Sequence, residues 1–219
     1  MKYPAMYVYR KTPDYGMELK YSIRSLANIT NWNGGVIVVG DKEDWFSDIY
    51  HIRVKAIYGN PHKDVEIKLQ SAISHQNFPS EFLYMNDDFF CTQPSDVTAL
   101  HCGALVGSDA SPHQRSKKLT ADWLKKRGIA EPLDYELHVP MIMNAGNRLD
   151  VSIKVIPSFN GTPLLPRSIY GNLFNIGGTY YDDKKTKTDE LKEGVFISTQ
   201  YYISRLDTLF PKPSRFEVS

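Results

Sequence analysis

The chain has 219 residues, a length typical of one domain. Lys and Arg total 26 against 25 Asp and Glu, and the resulting net charge of +1 gives no reason to expect a constitutive nucleic-acid or membrane-surface binder. With no apolar run near the ~20 residues of a membrane span, no signal-peptide core and only two cysteines, we expect a single domain over 1–219 in the cytoplasm of a bacterium or a virus-infected cell.

The first half of the chain alternates strand and helix patterns. Runs of apolar and β-branched residues predict strands over 5–10, 36–39, 51–57 and 82–85. Apolar residues at helical spacing predict helices over 17–27 and 65–75. This order is typical of βαβ units, so we expect an α/β fold with a mostly parallel central sheet and helices on both faces.

Charged residues directly follow three of these strand patterns. Arg10 ends the first, Asp41 follows the second, and Asp87 and Asp88 follow the strand at 82–85. Ligands of parallel sheets bind beyond the carboxyl ends of the strands. We therefore expect these side chains to lie together on one edge of the sheet.

The second half of the chain is less regular. Short apolar runs predict strands over 99–106 and 153–156. The polar segment 180–193, rich in Lys and Asp, is interpreted as a mobile loop. The segment 196–209 is expected to close the fold.

A basic helix is predicted over 119–127, in a stretch whose single acidic residue is Asp122. The cationic residues of the whole stretch, 115–127, are Arg115, Lys117, Lys118, Lys125, Lys126 and Arg127. Two interpretations remain open. The stretch is either a solvated helix face, which we favour, or a surface that follows the phosphates of an anionic acceptor such as DNA.

The segment Asn86-Asp87-Asp88 is the most specific local motif. Two adjacent carboxylates raise each other's pKa unless a cation neutralises them, and oxygen ligands favour Mg²⁺ or Mn²⁺. Such a cation also binds a diphosphate, so Asp87 and Asp88 are candidate metal ligands. The alternative is a turn that merely caps a strand, although the apolar runs on both sides of the motif argue against a solvated turn.

Two further side chains are candidates for catalysis. His138 has Asp134 and Glu136 as neighbours, which we expect to orient it as a general base. Arg167 follows a proline, and a guanidinium is the preferred ligand for binding phosphate through two hydrogen bonds. The alternative interpretations are an ordinary core or surface histidine and a surface salt bridge.

Four stretches, in the same order along the chain, resemble the blocks of the Stealth family of sugar-phosphate transferases. This family includes capsule-polymer hexose-phosphate transferases and the GlcNAc-1-phosphotransferase that tags lysosomal enzymes. The stretches are ELKYSIRSL at 18–26 with the strand at 36–41, FLYMNDDFF at 82–90, LHVP at 137–140 and FPKPSRFE at 210–217.

The resemblance implies a GT-A-like fold, a divalent cation and a nucleotide diphosphate-sugar as donor. It implies that Asp87 and Asp88 bind the metal and the diphosphate, with Asp88 also counted as catalytic. It further implies that His138 is the base and that Arg167 contacts phosphate. The predicted donor-binding residues are Arg10, Arg24, Asp41 and Glu66.

The sequence departs from the family at its opening block, which is replaced by YVYRK at 7–11. Two reactions therefore remain open: transfer of sugar-1-phosphate with release of a nucleoside monophosphate, or transfer of the sugar with release of the diphosphate. The acceptor is either a saccharide or, for a viral DNA-modifying glycosyltransferase, DNA with hydroxymethylated bases. A non-catalytic saccharide- or nucleotide-binding module is the alternative from another class.

Overall fold

A computed structural model describes residues 1–14, 16–56, 59–186, 193–199 and 203–218. In this part of the chain the elements follow in the order β1 (Tyr3–Tyr9), α1 (Met17–Ser25), β2 (Trp32–Gly40), β3 (Tyr50–Arg53), α2 (Pro61–Ile73), β4 (Glu81–Met85), β5 (Phe89–Cys91), β6 (Leu100–His101), α3 (Pro112–Lys125), β7 (Met141–Asn144), α4 (Ala145–Val155), α5 (Pro166–Leu173), β8 (Thr179–Tyr180), β9 (Lys185–Thr186), β10 (Phe196–Thr199) and α6 (Ile203–Leu209).

A five-stranded sheet forms the centre of the fold, in the order β3-β2-β1-β4-β7. β1 to β4 run parallel, and β7 is antiparallel to β4. The predicted α/β class with a mostly parallel sheet is therefore confirmed. The chain builds outward from β1 to β3 and then returns to place β4 on the other side of β1. Open parallel sheets bind ligands at such a reversal of strand order, beyond the carboxyl ends of the strands.

Helices cover both faces of this sheet, as its apolar strands require. Ala5 and Tyr7 of β1 are buried in one cluster with Leu19 of α1. Met6, which points to the opposite face, is buried in a second cluster with Leu69 of α2. Because both faces are covered, the central strands read as nearly continuous apolar runs instead of alternating ones.

Two helices begin earlier than the apolar periodicity predicts. α2 begins after Asn60 and α3 after Ser111, and the side chain of each capping residue accepts a backbone N–H of its own first turn, at 3.1 Å and 3.2 Å. A proline follows each cap. The predictions over 65–75 and 119–127 start late because these first turns are polar.

One predicted strand is wrong, and another is longer than the strand that the structure has. The segment 153–156 lies in α4 and in the 3-10 helix that follows it, where Val151 and Val155 are buried four residues apart on one helix face. A short apolar run does not by itself distinguish a strand from a buried helix. Of the predicted strand over 99–106, β6 alone is a strand.

The C-terminal part of the chain adds two small sheets. β5 and β9 flank β10, antiparallel and parallel to it respectively, and β6 pairs with β8. The segment predicted as a loop over 180–193 thus contributes to both. Three parts of the predicted elements lie outside the described residues: 57, 187–192 and 200–202. Among the residues that are described, no helix has the length and apolar character to cross a bilayer.

Candidate active site

A cavity of about 580 Å³ opens beside the carboxyl end of β4. Four predicted site residues line it: Glu66, Asp87, His138 and Arg167. They come from α2, the turn after β4, the segment before β7 and the first turn of α5, so the fold gathers residues that are far apart in the sequence. The other predicted site residues lie outside its lining: Arg10, Arg24, Asp41 and Asp88.

The turn between β4 and β5 is stabilised by a hydrogen bond between its own backbone groups and by another from α1. The N–H of Phe89 donates to the carbonyl of Asn86 at 3.2 Å, and the buried hydroxyl of Ser22 donates to the carbonyl of Phe89 at 2.6 Å. The turn sends its two carboxylates in different directions. Asp87 lines the cavity, whereas Asp88 points to the small sheet.

Asp88 joins the Asn-Asp-Asp motif to the small sheet formed by β5, β10 and β9. Its Oδ2 accepts a hydrogen bond from the hydroxyl of Ser198 in β10 at 2.9 Å, and the residue is 6% exposed. The position of this carboxylate therefore depends on the docking of β10.

Negative charge accumulates around the motif. Burial, followed by the charge of Asp88, raises the pKa of Asp87 to about 6. Burial, together with Asp87 and Asp88, raises the pKa of Glu18 to about 7. The local sequence gives Glu18 no sign of a role in the site, because an acidic residue in the first turn of a helix is common for reasons of helix polarity alone.

These carboxylates set limits on a metal site. Among the described residues, no group of three or more His, Cys, Asp or Glu side chains lies close enough to hold a metal ion. Asp87 and Asp88 are two oxygen-donor residues from one turn. Mg²⁺ is commonly bound by one or two carboxylates that are completed by substrate phosphates and water, so the pair is chemically compatible with a cation that arrives with a diphosphate.

His138 is held by a carboxylate from a distant segment. Its Nδ1 lies 2.6 Å from Oδ2 of Asp183, and its backbone N–H donates to Oδ1 of the same residue at 3.1 Å. The edge of the imidazole packs against the ring of Phe89, and Nε2 faces the ammonium of Lys185 at 3.0 Å. Burial opposes ionisation of Asp183, but its hydrogen bonds with His138 outweigh that effect and hold the pKa of Asp183 below its usual range.

The prediction that Asp134 and Glu136 orient His138 is wrong. Asp134 pairs with Lys117 at 2.6 Å. Glu136 accepts the N–H of Ser168 at 2.9 Å, at the N-terminal end of α5. The residue that sequence reasoning missed, Asp183, lies in the segment interpreted as a loop, and its local sequence carries no signal that it reaches the histidine.

Arg167 lies in the cavity wall with part of its guanidinium engaged. Its Nε donates to the carbonyl of Tyr135 at 3.1 Å, and its Nη2 donates to the carbonyl of Val139 at 2.7 Å. Burial lowers the pKa of this guanidinium, and the nearby charge of Glu136 opposes that effect. These bonds aim a fixed positive charge at the cavity.

A buried polar network forms another part of the lining. The carboxylate of Glu66 accepts from Arg148 and, at 2.9 Å, from Ser152. Arg148 is 1% exposed, and its Nε has no hydrogen-bond partner in the described structure. Tyr84 also lines the cavity, and burial raises its pKa to about 12. The predicted site residue Glu66 is thus already ion-paired.

The remaining predicted residues take two different positions. Asp41 and Arg10 stand at the adjacent carboxyl ends of β2 and β1, where Oδ2 of Asp41 accepts the N–H of Lys11 at 2.9 Å. Arg24 instead binds the C-terminal segment. It donates to both carboxylate oxygens of Glu217, at 2.9 Å and 2.7 Å, and to the carbonyl of Phe210 at 2.9 Å.

Comparison with known proteins gives matches in structure alone. No protein-family model matches the sequence, and no curated protein matches it significantly. The galactosyltransferase LgtC, solved with donor and acceptor sugar analogs, matches with a TM-score of 0.54 at 12% identity over 95% of this chain and 96% of that chain. This likeness shows that the chain has a GT-A-like fold.

Two other matches are weaker. The glycosyltransferase GlyE of Streptococcus pneumoniae TIGR4 has a TM-score of 0.46 at 10% identity, over 95% of this chain and 60% of that chain. A glycosyltransferase involved in the glycosylation of the major capsid of PBCV-1 has a TM-score of 0.43 at 13% identity, over 95% and 99%.

Proposed function

We propose that this protein is a metal-dependent transferase that moves a sugar or a sugar-1-phosphate from a nucleotide diphosphate-sugar to an acceptor hydroxyl. The observation that carries the proposal is one cavity lined by His138, Asp87 and Arg167, with His138 held by Asp183. The GT-A-like fold and the resemblance of four sequence blocks to the Stealth family support it.

In this proposal His138 is the general base. Oδ2 of Asp183 accepts a hydrogen bond from the N–H at Nδ1, over 2.6 Å. The lone pair of Nε2 then takes the proton of the acceptor hydroxyl. The acceptor oxygen then bonds to the donor, and the bond to the departing nucleotide breaks with its electron pair on the nucleotide. Asp183 stabilises the imidazolium that forms, because its carboxylate is ionised and hydrogen-bonded.

The phosphate that leaves with the nucleotide gains negative charge, so it needs positive charge beside it. Asp87 and Asp88 would hold Mg²⁺ or Mn²⁺, which neutralises charge on the departing phosphate when it is bound. The raised pKa of Asp87 supports this assignment, since a carboxyl group crowded by burial and by Asp88 gains most from a cation. Arg167 adds a fixed guanidinium from the cavity wall.

The buried network gives the cavity a polar wall for a saccharide. Glu66 and Tyr84 present a carboxylate and a phenol, which accept and donate hydrogen bonds to sugar hydroxyls. Arg148 holds the Glu66 carboxylate in place. In this role Glu66 contacts the sugar part of the donor while it stays ion-paired.

The identity of the released nucleotide tests the proposal and shows which bond of the donor is broken. The full chain is incubated with Mn²⁺ and a panel of uridine, guanosine, cytidine and deoxythymidine nucleotide-sugars, with water as acceptor, and the nucleotides are separated by chromatography. A nucleoside monophosphate from a diphosphate-sugar indicates sugar-1-phosphate transfer, and a diphosphate indicates sugar transfer.

Asp88→Asn is the matched control, since it keeps an oxygen that accepts from Ser198 but removes one charge of the proposed metal pair. We expect this variant to keep the circular dichroism spectrum and lose nucleotide release. Unchanged turnover of the variant at limiting Mn²⁺ would contradict the metal assignment. Binding of nucleotide-sugars without release above the level of the control would point to a binding module.

A further inference from the structure

The basic nitrogen of His138 is occupied by another residue of the chain. Nδ1 is hydrogen-bonded to a carboxylate, which can only accept, so Nδ1 carries the proton and Nε2 is an acceptor. Lys185 Nζ lies 3.0 Å from Nε2 and has only hydrogens to offer. Lys185 therefore donates to the atom that the proposed reaction needs free.

The small sheet sets Lys185 beside the carboxylate turn. Lys185 of β9 pairs with Ser198 of β10 in parallel register, so both side chains project from the same face. The hydroxyl of Ser198 donates to Asp88 at 2.9 Å. Lys185 thus contacts His138 and lies in register with the residue that contacts Asp88.

We propose that Lys185 is a ligand of the donor diphosphate and that donor binding releases His138 from it. This inference rests on the proposed function. A phosphate oxygen is a charged acceptor and attracts an ammonium more strongly than a neutral imidazole does. When the diphosphate binds at the turn, Lys185 moves to it with its protons and leaves the Nε2 lone pair for the acceptor. The base is thus available only when a donor is present.

The neighbouring lysine provides a matched control. Lys184 pairs with the exposed carboxylate of Asp182 at 2.6 Å and makes no contact with His138 in the described structure. Lys184→Met and Lys185→Met are the same chemical change at adjacent positions. Only the second removes the hydrogen bond to Nε2.

The first experiment needs no substrate. Diethyl pyrocarbonate modifies neutral, accessible imidazole nitrogens, and its rate at His138 is followed by peptide mass spectrometry on the full chain. We expect modification to be about tenfold faster in Lys185→Met than in the wild type, which is the smallest effect expected from losing a hydrogen bond to a charged group. Lys184→Met should behave as the wild type. His62 and His113, which line the same cavity, serve as internal references.

The second experiment adds Mn²⁺ with inorganic pyrophosphate, which carries the diphosphate charge without a sugar to cover Nε2. We expect this probe to speed modification of wild-type His138 toward the Lys185→Met rate. We also expect its affinity, measured by calorimetry, to fall about tenfold in Lys185→Met and to stay unchanged in Lys184→Met.

Two outcomes overturn the inference: equal modification of His138 in the wild type and Lys185→Met, or equal affinity of both for the probe. Neither readout requires turnover, so they separate this inference from the proposed function. If the nucleotide-sugar panel gives transfer while His138 reacts equally in both proteins, the function stands and the release of His138 by donor is refuted.

Discussion

Two carboxylic acids beside the site are costly to ionise in the folded protein. Asp87 and Glu18 both have a pKa above the usual range, first because of burial and then because of neighbouring carboxylates. An acid whose pKa is higher in the folded state binds more protons there than in the unfolded chain. Stability then falls as the pH rises from the unfolded pKa to the folded one.

This gives a prediction for stability against pH in the absence of metal. For Asp87 the window runs from its ordinary value of 3.8 to about 6, and for Glu18 it extends to about 7. We expect Asp87→Asn to raise the free energy of unfolding at pH 7.5 by roughly 1–3 kcal/mol and to have little effect at pH 4. Urea denaturation at the two pH values measures this.

The exposed Asp44 supplies the comparison, because Asp44→Asn removes one carboxylate from the surface and not from the site. Its stability should follow the wild type at both pH values. An Asp87→Asn variant that is less stable than the wild type at pH 7.5 would mean that the buried charge is compensated within the protein.

The second residue-scale prediction concerns the His138–Asp183 pair. His138→Ala should slow transfer by roughly 10²–10⁴-fold, with donor binding retained, because the proton of the acceptor loses its base. Asp183→Asn should slow it by up to roughly 10⁴-fold, because an amide can hold the imidazole in the wrong tautomer. Initial rates and donor KM are measured for each variant.

Asp182→Asn is the control for Asp183, since it removes the adjacent carboxylate, which pairs with Lys184 and not with the histidine. Its rate should match the wild type. If Asp183→Asn also kept the wild-type rate, the carboxylate would have no part in catalysis, and near-full transfer by His138→Ala would assign the base to another residue.

Among the elements, α1 is joined to the C-terminal segment through Glu217, which pairs with Arg24 and, at 3.9 Å, with Lys20. Arg24 and Glu217 form a two-bond contact with side chains 12% and 5% exposed. Burial opposes the ionisation of Glu217, but Arg24 outweighs it and lowers the pKa of Glu217. The ELKYSIRSL stretch supplies Arg24 and the FPKPSRFE stretch supplies Glu217, so this contact joins the two stretches.

Removing one half of this contact should cost stability. We expect Glu217→Gln to lower the free energy of unfolding by about 3 kcal/mol, because it leaves the largely buried Arg24 without its counter-charge. Donor KM should not change. If Arg24 instead contacts the donor, as the sequence predicts, Arg24→Ala should raise the donor KM with little loss of stability. Chemical denaturation and steady-state kinetics of both variants decide between them.

The helix α3 bears on the choice of acceptor. Lys117 and Lys118 pair with Asp134 and Asp109, at 2.6 Å and 2.8 Å, so part of the basic stretch is neutralised within the fold. The side chain of Lys117 is 18% exposed. Lys117 is therefore largely withdrawn from the surface, and Lys118 stays at the surface but is paired there. This partial neutralisation favours a solvated helix face over a DNA-binding surface.

The prediction for α3 uses the two exposed lysines Lys125 and Lys126. If the helix is a solvated face, replacing both with Gln should leave the salt dependence of binding to a short DNA duplex unchanged. Fluorescence anisotropy at several salt concentrations measures the slope. A slope that becomes shallower by about 1.8, the value for two lost phosphate contacts, would assign the helix to an anionic acceptor.

On the scale of the whole molecule, the site lies where the central sheet meets the small sheet of β5, β10 and β9. Asp88 contacts Ser198 of β10, and His138 contacts Asp183 just before β9. Both proposed functions of the site, holding the diphosphate and accepting the proton, thus depend on how the C-terminal part of the chain docks. The cavity itself lies between β1 and β4, at the reversal of strand order, where Val8 and Tyr84 line it.

Local patterns along the chain are sufficient to predict the fold class, the central strands and the place of the Asn-Asp-Asp turn. Apolar periodicity reports which faces of an element are buried, and that is a local property of the chain. Periodicity did not predict the structure correctly at 99–106 and 153–156, because the apolar runs there are too short to distinguish a strand from a buried helix or a loop. Position relative to a strand end likewise predicted that Arg10 and Asp41 lie at one sheet edge.

Which charges become partners depends on the folded arrangement of distant segments. Asp183 holds His138 from 45 residues away, Arg148 holds Glu66 from 82 residues away, and Glu217 lies 193 residues from Arg24. An ion pair is selected by distance in space and by the loss of competing water on burial, and neither is written in the neighbouring residues. The local sequence therefore pointed to Asp134 and Glu136 for the histidine, and the fold engaged both elsewhere.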